Sequence, residues 1–282
     1  MKWGDFQLQR VSDGYLWLDG GAMFGVVPKM LWGRKVRPDE KNRIRLATNC
    51  LLIQAPGKNV LIDTGCGTKY SEKELQVYNI EHPPDLLKEL DQFGVKPEQV
   101  DIVINTHYHF DHCGGNTILE GDSVVPAFPN ATYIVRREEY QAASNPNERT
   151  VATYFQHNWR VLEERRMLRI IDEDQKVIPG VTLVHTPGHT EGHQSVKIDS
   201  GDGKILFYIA DLCPTSAHIP LPWIMGYDLF PLTTMETRRR IYRQAIDEEW
   251  LIFFEHDPEN TTGYLRQTEG SKYILEPVEW ER

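Results

Sequence analysis

Thr106-His107-Tyr108-His109-Phe110-Asp111-His112 sets three imidazoles and a carboxylate within six residues, in a chain that has only ten histidines. Imidazole with carboxylate is a borderline ligand set. It suits zinc and also accommodates manganese, iron or cobalt. On an extended backbone His107 and His109 share one face, with Asp111 next on it, and His112 breaks the alternation. The segment must therefore bend. A bend lets one loop serve two metal ions, with His107 and His109 on one and Asp111 and His112 on the other.

The elements that must position this loop are short and apolar. Val100 to Asn105 reads as a buried β-strand, and Cys113-Gly114-Gly115-Asn116 closes the loop with a small glycine turn. Further candidates stand at other strand ends. Val60 to Asp63 is a strand ending in Asp63-Thr64-Gly65. That carboxylate either accepts a hydrogen bond from a metal-bound imidazole or caps the next turn. Thr186-Pro187-Gly188-His189 exposes an imidazole after the strand Val181 to His185, and His193, four residues on, supports the turn or a ligand. Lys204 to Ile209 ends in Ala210-Asp211, where one carboxylate can bridge two cations. Trp250 to Phe254 ends in Glu255-His256-Asp257. Asp85 to Phe93 and Thr233 to Glu249 read as helices, and Glu138 to about Arg166 as a helix in two pieces. Met23, Phe24 and Trp32 lie in a stretch too broken by glycine and proline for a regular helix. It is either core cover or an adaptable apolar wall. His157 has no donors around it and reads as surface or core.

Strands alternate with helices, and no linker, repeat or low-complexity tract divides the 282 residues, so one α/β domain is expected over 1–282. The 40% hydrophobic content is globular. The net charge of −10 argues against a nucleic-acid surface or an anionic membrane as partner. Cys50, Cys66, Cys113 and Cys213 show no C-x-x-C spacing and read as reduced, buried thiols, with Cys113 and Cys213 close enough to the donors to be soft ligands. Nothing at the N-terminus reads as a signal peptide, and no apolar run reaches the roughly 18 residues of a membrane span. A cytoplasmic protein acting on a small molecule is the expectation.

Asp63-Thr64-Gly65, His107-x-His109-x-Asp111-His112, His189 in Thr-Pro-Gly-His, Asp211 and His256, in that order, resemble the metallo-β-lactamase superfamily over nearly the whole chain. The resemblance implies an αββα sandwich with a dinuclear zinc-type site at the sheet edges. It assigns His107, His109 and His189 to one metal, Asp111, His112 and His256 to the other, and Asp211 to both. Within the superfamily, Asp19 to Lys29 and Phe253 to Asp257 look like quorum-quenching N-acyl-homoserine lactonases. Phosphotriester (organophosphate) hydrolases and glyoxalase II-like thioester hydrolases are the alternatives, although only 26 residues follow His256 here. The lactonase likeness implies Asp111 as proton carrier. It also implies an acyl pocket from Met23, Phe24, Trp32, Trp223 and Ile224, and it extends to a homodimer. One departure stands out. Many lactonases place a tyrosine three residues after the bridging Asp, and here that position is Pro214. His218 or Tyr227 is expected to take its place.

Overall fold

The computed structural model describes residues 1–270 and 272–280. The chain folds as two compact units. The first holds Met1–Tyr15 and Thr48–Glu173, and the second Leu16–Ala47 and the chain from Asp174.

The first unit is built on a seven-stranded mixed sheet. It contains β1 (Lys2–Trp3), β2 (Phe6–Asp19), β3 (Arg43–Ala55), β4 (Lys58–Ile62), β5 (Ile102–Ile104), β8 (Thr132–Arg136) and β9 (Leu168–Ile171), side by side in that order. β3 and β4 are an antiparallel hairpin, while β4, β5, β8 and β9 run parallel, with Leu61 opposite Val103 and Val103 opposite Tyr133. Parallel neighbours need covered faces and near-continuous apolar strands, which Val-Leu-Ile at 60–62 and Ile-Val-Ile at 102–104 supply. Leu52, Leu61, Val103, Tyr133 and Trp159 form the fully buried centre of this core. The β6–β7 hairpin (Thr117–Glu120, Ser123–Pro126) stands apart from the main sheet.

The second unit has its own seven-stranded sheet, in sequence order: β10 (Gln175–Ile178), β11 (Val181–His185), β12 (Gln194–Asp199), β13 (Ile205–Tyr208), β14 (Leu251–Phe253), β15 (Thr262–Gln267) and β16 (Tyr273–Val278). Only β13 and β14 are parallel, and helix α8 (Pro231–Asp247) makes the crossover between them. Thr234, Thr237, Arg238, Ile241, Tyr242 and Ala245 are the buried stripe of α8, at helical spacing. Ile241, Tyr242 and Ala245 join Phe207, Ile252 and Phe254 in the core of this unit.

Two mixed sheets with their helices make this the αββα class that the sequence implies. Several elements differ from the sequence reading. The stretch too broken for one regular helix forms two one-turn helices, α1 (Gly20–Phe24) and α2 (Lys29–Trp32), and Asp19 caps the first through Ala22 N at 2.8 Å. The other helices are α3 (Glu72–Tyr78), α4 (Leu86–Gln92), α5 (Phe110–Cys113), α6 (Arg137–Ser144) and α7 (Arg160–Glu164). The segment after His256, in which no element is read from the sequence, forms the β15–β16 hairpin. Among the described residues no helix is long and apolar enough to cross a membrane.

Candidate metal centre

In the first unit the ligand loop leaves β5 with every anchor paired. Asn105 and Asn116 exchange reciprocal amide bonds at 2.9 and 3.2 Å across its two ends. Thr64 N donates to the His112 carbonyl at 2.8 Å. Gly114 is needed because a Cβ there would lie 1.8 Å from the Cys66 carbonyl oxygen. Glu139, buried on α6, accepts the Tyr108 N–H at 2.9 Å, which fixes the backbone between His107 and His109. Lys69 Nζ donates to the carbonyls of Gly114 and Thr117 just beyond the loop.

His107, His109, Asp111 and His112 are all buried. His107 Nε2 faces His109 Nδ1 at 3.0 Å, and His112 Nε2 lies 3.9 Å from Asp111 Oδ1. Two donors each about 2.0–2.1 Å from one tetrahedral ion lie roughly 3.3 Å apart, so facing nitrogens at this separation fit an ion between them. The ring atoms pointing away are engaged. Thr106 Oγ1 meets His107 Nδ1 at 3.1 Å, and Asp63 Oδ2 meets His112 Nδ1 at 3.2 Å. Asp63 also accepts Thr106 N and Thr106 Oγ1, each at 2.7 Å. It sits at φ 55, a left-handed conformation that a non-glycine residue holds only when its surroundings over-determine it. Of the two roles open to Asp63 in the sequence, the structure places it on an imidazole.

In the second unit Asp211 lies between two imidazoles. Its Oδ2 is 3.1 Å from His189 Nε2 and its Oδ1 is 3.3 Å from His256 Nε2, again the separations of ligands that share ions. The far ring atoms are fixed here too, by Asp228 Oδ1 on His189 Nδ1 at 2.8 Å and by the Ala47 carbonyl on His256 Nδ1 at 2.7 Å. A second-layer acceptor of this kind sets the tautomer and aim of a ligating imidazole. Asp228 is not legible in the sequence, because nothing around it marks its role. Replacing it with alanine is expected to weaken metal binding about 10–100-fold without unfolding the chain, which a competitive chelator titration would read. The chain thus carries two groups of buried His and Asp donors, the complement of a dinuclear metal site.

The remaining expectations divide. His193 braces its turn, with Nδ1 3.0 Å from the Thr186 carbonyl and 2.9 Å from Thr186 Oγ1. Cys113 donates to the Tyr108 carbonyl, and burial pushes its thiol up, as it does that of Cys213. The proposed acyl-pocket residues do come together: Phe24 stacks on Trp32 and on His218 and meets Trp223 edge-on, while Gly25 packs on the Ile224 carbonyl. Met23, Phe24 and Trp32 are fully buried, whereas Trp223 and Ile224 are partly exposed. Tyr227 is half-buried. Pro214 is buried and its carbonyl accepts His256 N at 3.1 Å. His218 has both ring nitrogens engaged, with Thr215 Oγ1 at 2.7 Å and the Met23 carbonyl at 2.9 Å.

Burial and the Arg238 guanidinium push His218 down to about 3. Its folded value lies below the usual 6.5, so the unfolded chain binds the extra proton between those limits. Its contribution to stability is complete above about pH 6.5 and is lost as pH falls toward 3. His218→Gln is expected to flatten that acid limb of a melting-temperature profile.

Comparison with known proteins agrees with this geometry. The profile of the Metallo-beta-lactamase superfamily matches residues 43–256. An N-acyl homoserine lactonase of a Bacillus species is 31% identical over 231 residues, covering 76% of this chain and 82% of that one. The structure of a probable metal-dependent hydrolase from Staphylococcus aureus superposes with a TM-score of 0.89 at 30% identity, covering 99% of this chain and all of that one. AidC, a dizinc quorum-quenching lactonase solved with a product, shares the fold with a TM-score of 0.83 at 22% identity, covering 100% of this chain and 97% of that one. With buried donors for two ions at its strand ends and a superfamily match over most of its length, the chain belongs to the metallo-beta-lactamase superfamily and is a metal-dependent hydrolase.

Proposed function

We propose that this hydrolase opens the ring of N-acyl-homoserine lactones at a dinuclear centre. His107, His109 and His189 would hold one ion, Asp111, His112 and His256 the other, and Asp211 both. The observation that carries the reading is Asp211, whose two oxygens address His189 and His256 separately. A carboxylate so placed divides between two ions rather than serving one. The buried donors of each unit (His107, His109, Asp111 and His112 in the first, His189, Asp211 and His256 in the second) support it, as do relatives that are themselves named N-acyl homoserine lactonases.

Two divalent ions, zinc first and manganese, iron or cobalt as substitutes, would lower the pKa of a shared water toward neutrality and draw charge from the lactone carbonyl. The protein supplies the rest. Asp63, Thr106 and Asp228 hold the imidazoles in one tautomer and orientation. Asp111, at the start of α5, carries the proton released from the attacking water to the leaving alkoxide. Trp223 and Ile224 present the apolar face on which an acyl chain rests, backed by Phe24, Trp32 and the neutral His218 ring. The substrate is a small molecule and the working form a homodimer.

Pro214 offers no hydroxyl to the carbonyl, and this favours phosphotriester or thioester hydrolysis as the second reading. Ring opening of N-hexanoyl- and N-decanoyl-homoserine lactone, measured beside a phosphotriester and a glutathione thioester, separates them. Lactone turnover with the highest kcat/KM supports the first reading. A metal-loaded protein inert on both lactones but active on either alternative overturns it.

A further inference from the structure

Helix α8 does more than cross between strands: its buried stripe touches two of the ligand turns of the second unit, those of His189 and Asp211. Thr237 Oγ1 donates to the Pro187 carbonyl at 2.8 Å, two residues before His189. Gly188 packs so tightly on the helix that a Cβ would lie 2.5 Å from Thr234 Cα. One turn on, Arg238 is wholly buried. Its Nε donates to the Leu212 carbonyl at 2.6 Å, and its Nη1 to the carbonyls of His218 and Trp223, each at 2.9 Å. Among the described residues no carboxylate lies within ion-pair distance of it, and Nη2 has no hydrogen-bond partner. A buried guanidinium is costly to desolvate, and here its fork is spent on backbone carbonyls.

The place where it is spent is informative. Leu212 follows Asp211 directly, and Ala210, just before Asp211, sits at φ 48. A left-handed alanine is strained and persists only where neighbours over-determine the turn. The turn is closed by Cys213 N on the Ala210 carbonyl at 3.1 Å and pinned from outside by Arg238. Asp228 and Asp211 are near enough for their carboxylates to act on the Arg238 charge.

We propose that Arg238 is the positioning residue for the bridging carboxylate: it holds the Ala210–Leu212 turn, and with it the aim of Asp211, and ties that turn to the loop bearing His218 and Trp223. The proposal rests on the dinuclear reading but not on the choice of lactone as substrate.

Cobalt(II) is the probe, bound to the full chain carrying Arg238→Lys or Arg238→Met. Lysine keeps the charge and loses the fork. Arg238→Lys is expected to change the visible cobalt bands and to weaken the more loosely held ion about 10–100-fold in a chelator titration, with the tighter ion little affected, and Arg238→Met to weaken it further. Unchanged bands and affinities in Arg238→Lys overturn the proposal. So does equal weakening of both ions that tracks a lowered melting temperature of the metal-free protein, which would make Arg238 a general staple. If neither variant of a two-cobalt protein is altered, Arg238 alone is excluded. If the wild type itself binds fewer than two cobalt ions, the dinuclear reading fails and the proposal with it.

Discussion

Asp211→Ala is expected to release at least one metal ion and to lower kcat/KM for the preferred substrate by about 10³-fold or more. The reason is geometric. Asp211 is placed against two imidazoles, His189 and His256, at 3.1 and 3.3 Å. Those rings stay aimed after the substitution, because Asp228 and the Ala47 carbonyl hold their far nitrogens. On the proposed reading, the substitution would remove the negative charge that two ions would share. Metal content by elemental analysis and melting temperature should be read together. A folded variant that keeps two ions and more than a tenth of wild-type activity would remove Asp211 from the bridging role.

Asp111→Asn should behave differently. An amide oxygen still ligates weakly, so metal content should fall less than in Asp211→Ala, but the proposed proton carrier would be gone. General acid–base groups contribute roughly 10²–10⁴-fold, and the loss should fall on kcat with KM little changed. A p-nitrophenyl ester gives the decisive contrast. Its phenolate leaves without a proton, so the same substitution should cost no more than about tenfold there. Equal losses on lactone and nitrophenyl ester would mean that Asp111 serves only as a ligand.

The reach of the sequence follows from how local each feature is. The His107–His112 cluster could be read because its donors are near neighbours after an apolar strand, and Asp63, His189, Asp211 and His256 because each ends such a strand. β2 alternates only weakly between apolar and polar residues yet forms one strand of 14 residues, with Gly14 within it. β15 and β16 are hard to read because a solvated hairpin at the end of a sheet needs only a half-apolar pattern, and β16 has little of one. The supporting layer is invisible for a different reason. Asp228 meets His189 across 39 residues, Glu139 meets Tyr108 across 31 and Arg238 meets Leu212 across 26. No local pattern encodes such pairings. His218 shows the reverse: an isolated histidine near the donors reads as reactive, and only the fold reveals both of its nitrogens engaged with Thr215 and Met23.

The central claim is that two ions, held by these seven side chains, perform the hydrolysis. Metal-stripped protein reconstituted stepwise with zinc, with lactone ring opening followed against bound metal per chain, tests it most directly. The account predicts negligible turnover in the stripped protein, little at one equivalent, and a rise to full activity as the second is bound. Full activity at one equivalent, or turnover that survives complete removal of metal, would contradict it.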